Sequence, residues 1–220
     1  VTSLGSVMLP RVANLLSTGD HKAVNKMHQM SFLIYNLVIF PIIAGMLIVN
    51  DDFVQFFLGQ DFQDAKYAIA IMIFRMFFIG WTNIMGIQIL IPHNKNKEFM
   101  ISTTIPAIVS VGLNLLLLPK LGYIGAAIVS VLTEAFVWAI QLYFTRNYLK
   151  EVPLLASTVK IIGASALMYG VLFVVKTTVN FTPVINVMVF ATIGAILYIF
   201  QILFLKVISP KELKQQLLNK

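Results

Sequence analysis

The sequence predicts an all-α, polytopic transmembrane helix bundle, and three observations predict it. Apolar runs of membrane-spanning length fill nearly all of the 220 residues, and basic residues gather in every second loop between them. The composition is 59% hydrophobic and only 11% charged, with a mean hydropathy of +0.87. A bilayer core about 30 Å thick needs about 20 apolar residues per spanning helix, because in hydrocarbon a helix satisfies its own backbone hydrogen bonds. A soluble domain is nearer half apolar and about a quarter charged.

The elements follow in order. Residues before Leu16 read as the tail of a span, because the chain opens without Met inside an apolar segment. Complete spans are expected over Met30 to Val49, Tyr67 to Ile91, Phe99 to Leu118, Tyr123 to Phe144, Ile161 to Val175 and Val184 to Leu205. The run Ile161 to Val175 is short for a span, and Thr158, Val159 and the Lys160 stem extend it. Six complete helices and the end of a seventh result. We therefore expect the carboxyl-terminal part of a larger protein, forming one membrane domain. Residues 1–144 would supply the core bundle, 145–206 two peripheral spans, and 207–220 a cytoplasmic tail. In that tail Ser209-Pro210-Lys211-Glu212 carries a helix-start signature, and Leu213, Leu217 and Leu218 suggest a short helix on the inner leaflet.

Charge sets the orientation. Arg11, Lys22 and Lys26, then Lys95 and Lys97, then Arg146, Lys150 and Lys160, then Lys206, Lys211, Lys214 and Lys220 fall in alternate loops. These are twelve of the 16 basic residues. Short loops rich in Lys and Arg stay cytoplasmic, so this set and the carboxyl terminus are expected there. The opposite side holds Asp51, Asp52, Asp61 and Asp64, read as a solvated loop. The net charge of +7 thus reflects topology and contact with anionic lipid, with no nucleic-acid site.

Several chemistries have no residues to carry them. There are no cysteines, which excludes disulfides and thiolate metal sites. No glycine-rich phosphate loop followed by Lys and Ser or Thr occurs. His21, His28 and His93 are expected in cytoplasmic loops without ligand-like spacing to carboxylates. No catalytic group, cofactor or metal is expected. Asn180-Phe181-Thr182 matches a glycosylation sequon, a pattern short enough to arise by chance.

Function is sought where charge enters the membrane, because it is costly there and faces a cavity or a partner. Arg75 lies about 12 Å into its span and Glu134 about 16 Å into its own, both counted from the outer side at 1.5 Å per residue. The two can pair, or Arg75 can present its guanidinium to an anionic substrate in bidentate fashion. The competing reading has Arg75 reaching up to outer headgroups. Polar residues repeat at helical spacing nearby: Thr103, Ala107, Ser110 and Asn114 on one helix, Arg75, Thr82 and Gly86 with Asn83 at the edge on a second, and Ser130, Glu134 and Gln141 on a third. Three such stripes would line a wet passage, while the plainer reading is hydrogen bonding between helices. Pro41 and Pro106 sit mid-span and mark candidate hinges or static kinks.

Two stretches carry a family pattern. Val7-Met8-Leu9-Pro10-Arg11 closes a span before a basic loop. Leu90-Ile91-Pro92-His93-Asn94-Lys95 is followed by Asn114-Leu115-Leu116-Leu117-Leu118-Pro119-Lys120-Leu121-Gly122-Tyr123-Ile124-Gly125-Ala126-Ala127. This resembles the polysaccharide flippases of the multidrug/oligosaccharidyl-lipid/polysaccharide exporter superfamily, which move O-antigen and exopolysaccharide repeat units. Drug exporters and the peptidoglycan-precursor flippase share parts of the pattern. Gly122 and Gly125 also have a plain structural use, a tight turn between two helices. The resemblance covers essentially the whole chain, as the eighth to fourteenth of fourteen helices. It implies translocation of an undecaprenyl-diphosphate-linked oligosaccharide across a bacterial cytoplasmic membrane. Its partners would be the lipid-linked substrate, membrane lipids, the amino-terminal half of the same protein and a polysaccharide polymerase. The expected substrate pathway is Arg75, Glu134, Asn83, Asn114, Thr103, Ser110 and Gln141. Rival readings are a cation-coupled drug exporter of the same superfamily, a membrane glycosyltransferase or polymerase, and a remnant without transport.

Overall fold

The computed structural model describes residues 2–179 and 181–205, with side chains from Met8 onward. The expected tail helix at 209–218 and Asn180 of the sequon lie outside the described residues. Among the described residues every regular element is helical: α1 Thr2–Ser17, α2 His21–Phe57, a 3-10 turn Gln60–Phe62, α3 Ala65–Met72, α4 Arg75–Asn83, a π-helical segment Ile84–Leu90, α5 Asn96–Leu149, α6 Leu155–Thr178 and α7 Pro183–Phe204. Among the described residues, five stretches are long and apolar enough to cross a membrane: His21–Phe57, Ala65–Leu90, Asn96–Leu149, Leu155–Thr178 and Pro183–Phe204.

Local chemistry sets the element ends. Gly19 takes a positive φ of 74° after α1, and the amides of Gly19 and Asp20 return to the carbonyls of Leu16 and Leu15 at 3.1 and 3.0 Å. That closes the last turn of α1 in the usual left-handed manner. The Asp20 carboxylate then accepts the Ala23 amide at 3.0 Å and caps α2. α7 starts from an extended Thr182, with Pro183 in the first turn where no amide is needed.

The run of 54 residues in α5 would measure about 81 Å as one rod, far more than a bilayer. Gly122 breaks it with φ 55° and ψ −137°, a conformation closed to most side chains. At Gly125 an added Cβ would stand 2.6 Å from the Leu117 carbonyl oxygen, so the two arms approach closely just past the break. The glycines of the sequence pattern therefore build a turn between two helical arms, residues 96–121 and 123–149.

The chain divides into two compact units, Val1–Ile39 with Asp64–Leu154, and Phe40–Gln63 with Leu155–Lys220. In the first, Phe32, Ile84, Met85, Ile89 and Leu90 are buried, with buried Ser31, Gln88, Ser102, Gln141 and Thr145 among them. In the second, Ile161, Met168, Leu172 and Phe190 form the core of α6 and α7, and Gly194 lets a Leu172 methyl come close. Large apolar side chains elsewhere point outward, Leu115 at 73%, Leu155 at 78% and Phe204 at 79% exposure. So much exposed apolar surface suits hydrocarbon as solvent and would drive aggregation in water.

Two sequence expectations need correction. Asp51 and Asp52 lie inside α2, which runs on to Phe57, and Asp52 is no solvated loop residue. Its Oδ2 pairs with Lys176 Nζ at 2.9 Å and its Oδ1 accepts from Asn186 Nδ2 at 2.8 Å. Its partners lie more than a hundred residues away, so no local pattern betrays them. His28 likewise sits in α2, 1% exposed, where Lys22 and Lys26 had suggested a loop.

Candidate functional site

Arg75 opens α4 after a tight turn. The amides of Phe74, Met76 and Phe77 bond to carbonyls three residues back at 3.2–3.3 Å, a local pinch in the helix. Below α4 the chain loosens into the π-helical segment, where the Ile91 amide reaches back five residues to Gly86 at 3.1 Å. Arg75 is thus carried on a span whose winding changes on both sides of it.

Its guanidinium meets the second arm of α5. Arg75 Nη2 donates to Glu134 Oε1 at 2.9 Å, and the side chains are 38% and 19% exposed. The similar depths read from the sequence thus end in an ion pair. The pair leaves donors over, since the buried Arg75 Nε has no hydrogen-bond partner. A guanidinium carries five N–H donors, so one carboxylate contact leaves it able to meet an oxyanion.

An aromatic and polar wall stands beside the pair. Trp81 lies 4.8 Å from Phe32, 5.3 Å from Phe77 and 6.4 Å from Trp138 between ring centroids. Its Nε1 donates to Asn36 Oδ1 at 2.9 Å. The Tyr35 hydroxyl donates to the Met76 carbonyl, and Gly80 gives the Tyr35 ring its room. Asn36 and Tyr35 belong to none of the polar stripes read from the sequence. Only their spacing from Trp81 and Gly80 across two helices reveals them.

The other expected pathway residues scatter. Asn83 presents a buried Oδ1 with no hydrogen-bond partner, so it keeps an acceptor in hand. Gln141 is buried and donates to Ser102 Oγ at 3.2 Å, while Gly86 packs its bare Cα against Phe99 and Gln141. Thr103 is exposed and returns its hydroxyl to Phe99 and Met100 of its own helix. Asn114 donates to the Ser110 carbonyl at 2.9 Å, also within its own helix. Arg75 and Glu134 are brought together; Thr103, Ser110 and Asn114 are not joined to them.

A family model described as lipid II flippase MurJ matches residues 1–211. The chain belongs to the MurJ flippase family. Named relatives agree with that placement. An "Uncharacterized membrane protein MJ1068" of Methanocaldococcus jannaschii is 25% identical over 96% of this chain and 41% of its own length. A "Probable low-salt glycan biosynthesis flippase Agl15" of Haloferax volcanii is 23% identical over 89% of this chain and 41% of its own. A "Putative O-antigen transporter" of Escherichia coli K12 is 27% identical over 63% of this chain and 33% of its own. This member of the MurJ family therefore spans about two-fifths or less of the curated relatives it matches.

Proposed function

We propose that this chain is the carboxyl-terminal portion of a flippase that carries a polyprenyl-diphosphate-linked oligosaccharide from the inner to the outer leaflet of a cell membrane, for surface-glycan synthesis. The observation that carries the reading is the Arg75–Glu134 pair, held inside a spanning segment with Arg75 Nε still unpartnered. Family membership supports it from a separate direction. None of the three named relatives is described as a drug exporter or a glycosyltransferase.

The physical task is to pass a charged, hydroxyl-rich head through hydrocarbon at a lower desolvation cost. In this reading Glu134 holds Arg75 at depth while no cargo is present. A diphosphate oxygen then takes up the unused donors, and Asn83 accepts from sugar hydroxyls. Each arm of α5 crosses once, which gives six crossings after α1 and a cytoplasmic carboxyl terminus, in keeping with the alternation of basic loops. The amino-terminal half supplies the opposite wall of the passage. Pro41 lies inside α2 and is our hinge candidate; Pro106 is buried in the first arm of α5 and serves as a fixed kink.

The test uses the full-length protein in vesicles, with translocation read as the exposure of a lipid-linked glycan at the far leaflet. Arg75→Ala should abolish the signal while insertion stays normal, and Arg75→Lys should retain part of it. Unchanged translocation by Arg75→Ala would remove the pair from the mechanism.

A further inference from the structure

At the end of the first unit where α2 begins and α5 finishes, two neighbouring cavities share Asn147 and Tyr148 as a common wall. One, of about 300 Å³, is lined by Asn25 and His28 of α2, His93 from the turn before α5, and Glu151. The other, of about 350 Å³, holds Lys95, Glu98 and Arg146. Either volume accommodates a monosaccharide-sized group.

The first cavity is rich in acceptors. His28 Nε2 lies 3.1 Å from the Gln88 carbonyl, which can only accept, so the hydrogen resides on Nε2 and Nδ1 is a bare acceptor. That Nδ1 is buried and has no hydrogen-bond partner, on a residue 1% exposed that lines the cavity. His93 repeats the pattern, its Nδ1 donating to the Ile89 carbonyl at 2.7 Å, which leaves Nε2 as the acceptor of the neutral ring. Its ring lies 4.1 Å from that of Tyr148, tilted by 45° to it. Asn25 Nδ2 donates to Glu151 Oε2 at 2.8 Å and fixes both at the rim. Apart from Glu151 this lining carries no formal charge with neutral imidazoles. Acceptors in excess beside aromatic rings suit a neutral group bearing several O–H donors, which is the chemistry of a sugar ring.

The second cavity is cationic. Lys95 Nζ pairs with Glu98 at 2.9 Å, and the Arg146 guanidinium lies 4.4 Å from the Tyr143 ring centroid, so both cations are held in place. Two cations against one carboxylate leave a positive balance for a phosphate.

We infer that these neighbouring cavities form a docking site for the glycosyl-phosphate head of the cargo, which straddles their shared rim with the sugar against His28 and Tyr148 and the phosphate at Lys95 and Arg146. The inference rests on the flippase reading, and assigns the cargo a landing place distinct from Arg75. It also explains why an imidazole acceptor is kept buried and unpaired, which otherwise costs stability.

The test is binding to the full-length protein in detergent, by saturation-transfer NMR and calorimetry, with glucose 1-phosphate, galactose 1-phosphate and N-acetylglucosamine 1-phosphate as probes. At least one should bind saturably. Tyr148→Ala and His28→Ala should weaken it about fivefold or more, the scale of one lost hydrogen bond or ring contact. Lys95→Gln with Arg146→Gln should weaken the sugar phosphate and leave the parent sugar unchanged. Should His28→Ala fail to fold, Asn147→Ala at the exposed rim replaces it, with the same expected loss. No binding by any probe, or binding indifferent to these variants, overturns the inference. Phosphatidylglycerol in nanodiscs displacing the probe, while the free sugar does not bind, would mark a phospholipid site and also overturn it. Translocation in vesicles that persists despite a negative binding result would sink this site alone, and the flippase reading would stand.

Discussion

In the unit containing α4 and the second arm of α5, the ion pair lies deep in its helices. Arg75 is about 15 Å along the span from Ala65, and Glu134 about 18 Å beyond Gly122. In the unit containing α6 and α7, the pair Lys176–Asp52 lies within about two turns of helix ends, joined by Asn186 near the start of α7 and by the Ile48 carbonyl, 2.5 Å from Lys176 Nζ. Both pairs are 2.9 Å long, and both join elements distant in sequence. Position separates them. A charge near a helix end reaches water or headgroups at little cost, so its pairing can serve as a fastening. At mid-depth a charge is costly to hold, so a pair there is the candidate for function.

That contrast can be broken by experiment. The largest effect is expected at the deep pair: Arg75→Ala should lower vesicle translocation more than about a hundredfold, since binding and passage both lose a charged contact worth several kcal/mol. Glu134→Gln should fall between that variant and wild type, because the guanidinium survives but loses its holder. Next comes the turn in α5. Gly122→Val forces a side chain into φ 55° and should cost about 1–3 kcal/mol, read as a lower midpoint of thermal unfolding in detergent. Of similar size, Lys176→Met should destabilise by about 1–3 kcal/mol, because it leaves the mostly buried Asp52 carboxylate with Asn186, and should leave translocation per folded molecule within about twofold. The least effect is expected at Thr103→Val, within about 0.5 kcal/mol, since that hydroxyl bonds only to its own helix. A transport defect from Lys176→Met equal to that from Arg75→Ala would erase the distinction between the two units.

Much of the architecture was legible because hydrophobic runs need no partner to be read. The expected spans coincide with helical stretches, although Tyr67 to Ile91 is divided among α3, α4 and the π-helical segment, and the Pro119-Lys120-Leu121-Gly122 segment marks the break in α5 by residue type alone. The Arg75–Glu134 pair was legible too, because counting residues from the same membrane face gave similar depths. The acidic residues after the first complete span were misplaced, as the helix continues through Asp51 and Asp52, and Asp52 finds Lys176 only through the tertiary fold. His28 was misread because flanking lysines made its turn look like a loop. The π-helical segment has no compositional signature, so the expected face of Arg75, Thr82 and Gly86 assumed a constant 3.6 residues per turn that the chain does not keep.

That widened coil has a consequence for inheritance. One residue in an α-helix corresponds to about 100° of rotation. A π-helical turn holds about one residue more than an α-helical one, so the slack between Ile84 and Leu90 takes up that residue without turning the flanking helix. Deleting a single residue there would restore an ordinary helix and leave Arg75 close to its bearing on Glu134, whereas the same deletion between Arg75 and Asn83 would swing the guanidinium by about 100°. A lineage could therefore tolerate a lost residue in the widened coil and not in the regular turns beside it.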